Sequence, residues 1–92
     1  MLDSPITFVK DPHAKLDYSV DWTQWLGDDS LASVAWTVPL GIASLTPSNT
    51  AKVATVWLAS GTAGQAYNIT NHIVTASGRE DERTFTVIVR ER

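Results

Sequence analysis

The chain has no cysteine, which removes both a disulfide framework and a thiolate-held zinc as sources of stability. Ninety-two residues make one small domain that has to stand on packing and sheet hydrogen bonds. It has no excess of positive charge either. Seven basic against ten acidic residues leave a formal net charge of −3, the wrong sign for a protein that tracks a nucleic-acid backbone. The opening MLDSPITFVKDPH lacks an apolar signal core, and no segment is long enough to span a bilayer. The expectation is therefore a chain made and assembled in a cytoplasm. Catalytic signatures are missing too. There is no thiol nucleophile, no G-x-S-x-G elbow and no glycine-rich phosphate loop. His13 and His72 are the only imidazoles, and Asp28 and Asp29 are neighbours in sequence, which does not set them across a cleft. The reading is a non-enzyme without a cofactor.

What the chain does have is alternation. Leu16, Tyr18, Val20 and Trp22 alternate with Lys15, Asp17, Ser19 and Asp21, the period of a half-buried strand. Val34, Trp36 and Val38 repeat the pattern within LASVAWTV (31–38), and Pro39 ends it. LGIASL (40–45) reads as a weaker strand and TPSNT (46–50) as a turn. KVATVWLAS (52–60) is strongly β-prone, SGTAGQ (60–65) a turn, and AYNITNHIVTA (66–76) a long strand. SGREDER (77–83) reads as a charged hairpin tip, and TFTVIVRE (84–91) as the last strand, with Phe85, Val87 and Val89 on one face. ITFVK (6–10) adds a short edge strand, and residues 1–5 are expected to be a flexible N-terminus. Six to seven short strands at roughly 8–12-residue spacing predict an all-β sandwich of the Ig-like class. Four Trp, two Tyr and two Phe supply its core, each ring burying roughly 150–250 Å². Trp36, Tyr67, Trp22 and Phe85 are the expected core aromatics.

One stretch, DWTQWLGDDS (21–30), crowds two tryptophans and three acids together. Its simplest reading is a corner: one helical turn over Trp22–Leu26, capped by Asp21 and ended by Gly27, with Trp22 packed and the acids solvated. Trp25 need not share the face of Trp22 and is a candidate contact residue. A calcium loop from Asp17, Asp21, Asp28 and Asp29 is a weak alternative, because the spacing lacks the D-x-D-x-D-G rhythm and calcium wants six to eight oxygens. Two further positions stay open. Trp57 either sits inside, with Val56 and Leu58 half covered, or points outward to an assembly contact. Asn71 breaks the series Tyr67, Ile69, Ile73, and is expected at a bulge or buried and hydrogen-bonded.

SLASVAWTVP (30–39) resembles the second strand of a fibronectin type III-like domain. GTAGQAYNIT (61–70) is similar to the tyrosine-corner region of those folds, with Tyr67 in the hydroxyl-bonding role. KDPHAKLDYSVDWTQWLGDD (10–29), WTVPLGI (36–42) and ATVWLASGTAGQAYNITNHIVTASGREDERTFTV (54–87) resemble a family of small phage and prophage virion proteins that act as fibre–tail adaptors. Two positions depart from that pattern: His13 stands where an acid is expected, and Ala59-Ser60 replaces a more glycine-like start to the turn. The resemblance implies a structural tail component that works by protein–protein contact with other tail or fibre proteins, first in the host cytoplasm and then in the virion tail. It is compatible with several copies around an axis, and the net charge and the lack of a spanning segment lead to the expectation of no nucleic-acid or membrane partner. The expected contact residues are Trp25, Trp57, Arg79, Asp81 and Arg83. A carbohydrate-binding module that stacks Trp22 or Trp25 on sugar rings is the alternative from another class, and a partnerless spacer domain is a third.

Overall fold

The computed structural model describes residues 6–91, so the expectation for residues 1–5 lies outside the described residues. Seven strands follow in order: β1 (Ile6–Lys10), β2 (Leu16–Asp21), β3 (Leu31–Thr37), β4 (Ile42–Asn49), β5 (Val53–Ser60), β6 (Ala66–Thr75) and β7 (Glu80–Val89). One helical turn, α1 (Thr23–Leu26), joins β2 to β3. They form an Ig-like sandwich of two sheets, ordered β1-β7-β6-β3 and β2-β5-β4. β1 lies parallel to β7, and the other pairs are antiparallel.

Side-chain alternation decides what goes between the sheets. Val56 and Leu58 of β5 meet Ile69 of β6 and Phe85, Val87 and Val89 of β7, all buried. A second cluster of Trp22, Leu26 and Ile73 closes one end. Trp22 is the fully enclosed tryptophan. Trp36 faces the core beside Phe85, ring centroids 6.3 Å apart, yet it stays half-buried because β3 is an edge strand, its outer flank paired with no strand among the described residues. Its strand is the third, paired with β6, not the second as the fibronectin-like resemblance suggests.

Two boundaries differ from the sequence reading. TPSNT is not a free turn: β4 runs on to Asn49, with a register irregularity between Leu45 and Ser48 and a positive φ at Thr46. A bulge lets turn-forming residues remain in a ladder. Nor is SGREDER all tip. The turn is short, and β7 begins at Glu80, which puts Asp81 opposite Ile73 and Arg83 opposite Asn71. Cross-strand partners share a face, so Asp81 and Arg83 sit on the side that packs against the sandwich.

Candidate functional site

The charged stretches at both ends of the sequence meet at one end of the sandwich. Asp21 starts the corner by accepting the backbone N–H of Thr23 (2.9 Å) and the Thr23 hydroxyl. The cap thus reaches in from one residue before Trp22, the position at the helix start, whose own side chain makes no cap bond. Gly27, at φ 62°, ends the turn, a conformation that glycine adopts without a Cβ penalty. The turn swings Trp22 inward, where its Nε1 donates to Asn71 Oδ1 (2.9 Å). Asn71 Nδ2 in turn donates to the Ala35 carbonyl (3.2 Å). Asn71 breaks the apolar series because a buried indole N–H needs an acceptor there.

Trp25 packs edge-on against Trp22 at 5.3 Å between centroids. Each ring then receives a guanidinium: Arg83 lies 4.2 Å over Trp22 and Arg79 lies 4.3 Å over Trp25. Arg83 also donates to the Asp21 carbonyl (3.2 Å), and Arg79 to the Leu26 carbonyl (3.0 Å) and the Asp29 carboxylate (3.1 Å). Cation–π contacts of this kind are worth about 0.5–1 kcal/mol where exposed and more where water is excluded.

Asp29 is the hub. Its carboxylate accepts bonds from the Ser77 hydroxyl, the Ser30 N–H (2.9 Å), the Ser77 N–H (3.2 Å) and Arg79. The Ser77 hydroxyl leads a set of donors that holds its pKa far below the ordinary carboxylate range. Lys52 binds the carbonyls of Gly27 (2.6 Å) and Asp29 (2.7 Å) from the opposite side. Of the three acids of DWTQWLGDDS, Asp29 spends both oxygens on protein donors and Asp21 spends Oδ1 on Thr23. Asp21 and Asp28 are exposed, as the corner reading expects. Among the described residues, no group of three or more His, Cys, Asp or Glu stands ready to hold a metal.

Of the expected contact residues, Arg79 and Arg83 are turned onto Trp25 and Trp22. Asp81 accepts the Glu82 N–H (2.8 Å). The sugar-stacking alternative named Trp22 or Trp25: the Trp22 ring is buried with no free face, and the half-buried Trp25 ring carries the Arg79 guanidinium. Trp57 differs. Val56 and Leu58 are fully buried, so β5 turns Trp57 outward, beside its cross-strand neighbours Leu45 and Asp17. The alternative with Trp57 inside and Val56 and Leu58 half covered does not hold. Trp57, Leu45, Thr46 and Lys15 line a shallow hollow of about 240 Å³ on the outer face of the three-stranded sheet. Leu45 there is one of the exposed large apolar residues.

The opposite end is built differently. Tyr67 does what the tyrosine-corner resemblance implies: its hydroxyl accepts the Thr62 N–H (2.9 Å). Gly41, at φ 102°, lies against its ring, where a Cβ would come within 3.1 Å of Tyr67 Cε1. Lys10 is wholly shut from solvent and donates to the carbonyls of Ser60 (2.6 Å) and Asp11 (2.9 Å). Burial lowers its pKa from the ordinary lysine value. Sequence reading missed this lysine, although the alternation Ile6, Phe8, Lys10 puts it on the inner face. It also missed the setting of His72, whose two ring nitrogens face Glu80 (3.1 Å) and Glu82 (3.4 Å). The bond to Glu80, with that to Glu82, raises the histidine's pKa.

Comparison with known proteins agrees with this architecture. The solved structure of the PKD domain from the KIAA 1837 protein superposes with a TM-score of 0.57 at 19% identity, over 98% of this chain and 83% of that one. Likeness at that identity speaks for the Ig-like fold alone. No curated protein sequence matches the chain. Residues 10–88 match the family described as podophage GP4 fiber-tail adaptor protein gp77. That match takes in both corners and the strands from β2 to β7 but for the last residue of β7, and the chain belongs to the gp77 family of podophage fibre–tail adaptors.

Proposed function

We propose that this protein is a structural part of a phage tail that joins the tail fibre to the tail by protein–protein contact. Membership of the fibre–tail adaptor family over residues 10–88 is the observation that carries the reading. The sandwich supplies rigidity, and recognition falls to surfaces that its own residues leave uncovered. Trp57 with Leu45, rimmed by Lys15 and Thr46, is the contact site best suited to this. It is aromatic, uncommitted to the core and set on a strand, and tryptophan is enriched among binding hot spots. The corner arginines steady the scaffold instead of meeting a neighbour. The protein works as a binding part and not as a catalyst, assembling in the host cytoplasm and ending in the virion tail.

Deleting the gene and examining the particles tests this. The expected result is tails without fibres, restored by the wild-type chain but not by Trp57→Asp with Leu45→Asp. Normally fibred particles from the deletion would overturn the adaptor role. Full rescue by the double variant would move the contact site elsewhere.

A further inference from the structure

Charge is unevenly spread along the chain: between Ser30 and Gly78 the only Asp, Glu, Lys or Arg is Lys52. The strands of that interval include β3 and β4, one edge of each sheet. An edge strand presents unpaired N–H and C=O groups, and proteins guard such edges with charge, proline, bulges or shortness. Three of the four edges here are guarded. β1 has five residues. β2 carries Asp17 and Asp21. β4 is broken by the irregularity at Leu45/Ser48, the positive φ of Thr46, and Pro47. β3, LASVAWT, has neither charge nor proline, and Ser33–Thr37 is regular. Its start is closed by the Leu31 N–H bond to the Ala51 carbonyl (2.8 Å). The rest of its outer edge is paired with no strand among the described residues.

We propose that β3 is a self-pairing edge, and that a second copy of this chain adds its own β3 antiparallel about a two-fold axis at Ala35. The backbone sets the register. The Ala35 carbonyl is turned towards β6, where Asn71 Nδ2 reaches it. Alternation then turns the N–H and C=O groups of Val34 and Trp36 to the open edge. With the axis at Ala35, Val34 of one copy exchanges both backbone bonds with Trp36 of the other. Their side chains, both half-buried on the inner face, form an aromatic–β-branched cross-strand pair. On the outer face, Ser33 meets Thr37 as a hydroxyl pair. Ala35 meets Ala35 at the closely spaced non-bonded position, where small side chains fit. The two four-stranded sheets become one of eight, and the flank of Trp36 that β3 leaves open is covered. An isologous contact brings identical residues together, so an uncharged strand is the kind that can meet itself without repulsion.

Sedimentation of the purified chain from micromolar to millimolar concentration, with tryptophan emission read alongside, tests this. The wild type is expected to dimerise, with emission moving to the blue as Trp36 leaves water. Ala35→Glu and Ala35→Lys each oppose two like charges at the axis and weaken the dimer roughly tenfold or more. An equal mixture of the two restores it. If either variant fails to fold by circular dichroism, Ser33→Lys with Thr37→Lys takes its place, since it sets like charges across the same axis from exposed positions. A wild type that stays monomeric, a dimer indifferent to these charges, or a mixture that does not recover overturns the pairing. The pairing needs no tail protein, so a monomer would overturn it and leave the adaptor role standing.

Discussion

The two ends of the sandwich are closed by different means. At the tryptophan corner, charged side chains lie on aromatic rings and on one another as well as on backbone: Arg83 over Trp22, Arg79 over Trp25, Asp29 against Ser77 and Arg79. The partners come from distant parts of the chain. At the tyrosine corner, side chains hold loop backbone: the Tyr67 hydroxyl takes the Thr62 N–H, and Lys10 takes the carbonyls of Ser60 and Asp11. The difference shows that a charged, aromatic sequence stretch need not be a binding surface. Here it locks the fold, and the contact surface proposed above lies elsewhere, on Trp57 and Leu45 with Lys15 at its rim.

The largest effect is expected at the tryptophan corner. Trp22→Ala empties a fully buried ring site and leaves Asn71 Oδ1 without its donor, and should cost about 3–5 kcal/mol by urea unfolding. Trp36→Ala should cost clearly less, because that ring is half-buried; equal losses would erase the distinction between the two tryptophans. At the tyrosine corner, Lys10→Met keeps the stem but strips the Ser60 carbonyl of its donor, for a loss of about 1–3 kcal/mol. A Lys10→Met protein as stable as wild type would mean that the buried ammonium merely fills space. Tyr67→Phe removes one hydroxyl bond and should cost about 1 kcal/mol. Amide exchange should quicken at Thr62 and leave the tryptophan corner unchanged. Loosening of both ends together would contradict their independence.

pH separates the regions further. Asp29 is held below its ordinary value of 3.8, so its contribution is present above that pH and is lost as the pH falls towards the folded value. Asp29→Asn should therefore lower thermal stability at neutral pH and flatten its decline in acid. His72 is raised above 6.5 by Glu80 and Glu82. Its smaller contribution is present below 6.5 and fades as the pH rises through the folded value. His72→Gln should thus differ from wild type at mildly acidic pH and match it in alkali. Thermal unfolding against pH reads both, and a His72→Gln difference that grows with pH would reverse the assignment.

Much of the fold was legible because alternation is a local property. The inward sets Tyr67/Ile69/Ile73 and Phe85/Val87/Val89 stand in the period-two pattern. The corner within DWTQWLGDDS was legible for the same reason, since Asp21 and Gly27 act on near neighbours. What could not be read was long-range. Nothing local says that Arg79 and Arg83 will lie over Trp25 and Trp22, far away along the chain. Nor does it say that Asn71 will serve Trp22. Trp57 was ambiguous because β5 is apolar on both faces, and only the packing of the opposite sheet onto Val56 and Leu58 decides which face is covered. TPSNT misled because turn propensity also suits a bulged edge strand.

We propose that the Trp57–Leu45 face meets the neighbours while the charged corner serves the fold. Cross-linking mass spectrometry on assembled particles tests it most directly. Lys15, on the rim of the Trp57 hollow, should link to fibre or tail subunits. Lys52, bound to the carbonyls of Gly27 and Asp29, should link only within its own chain. Links to neighbours that gather at Lys52, or particles that lack this protein altogether, would contradict it.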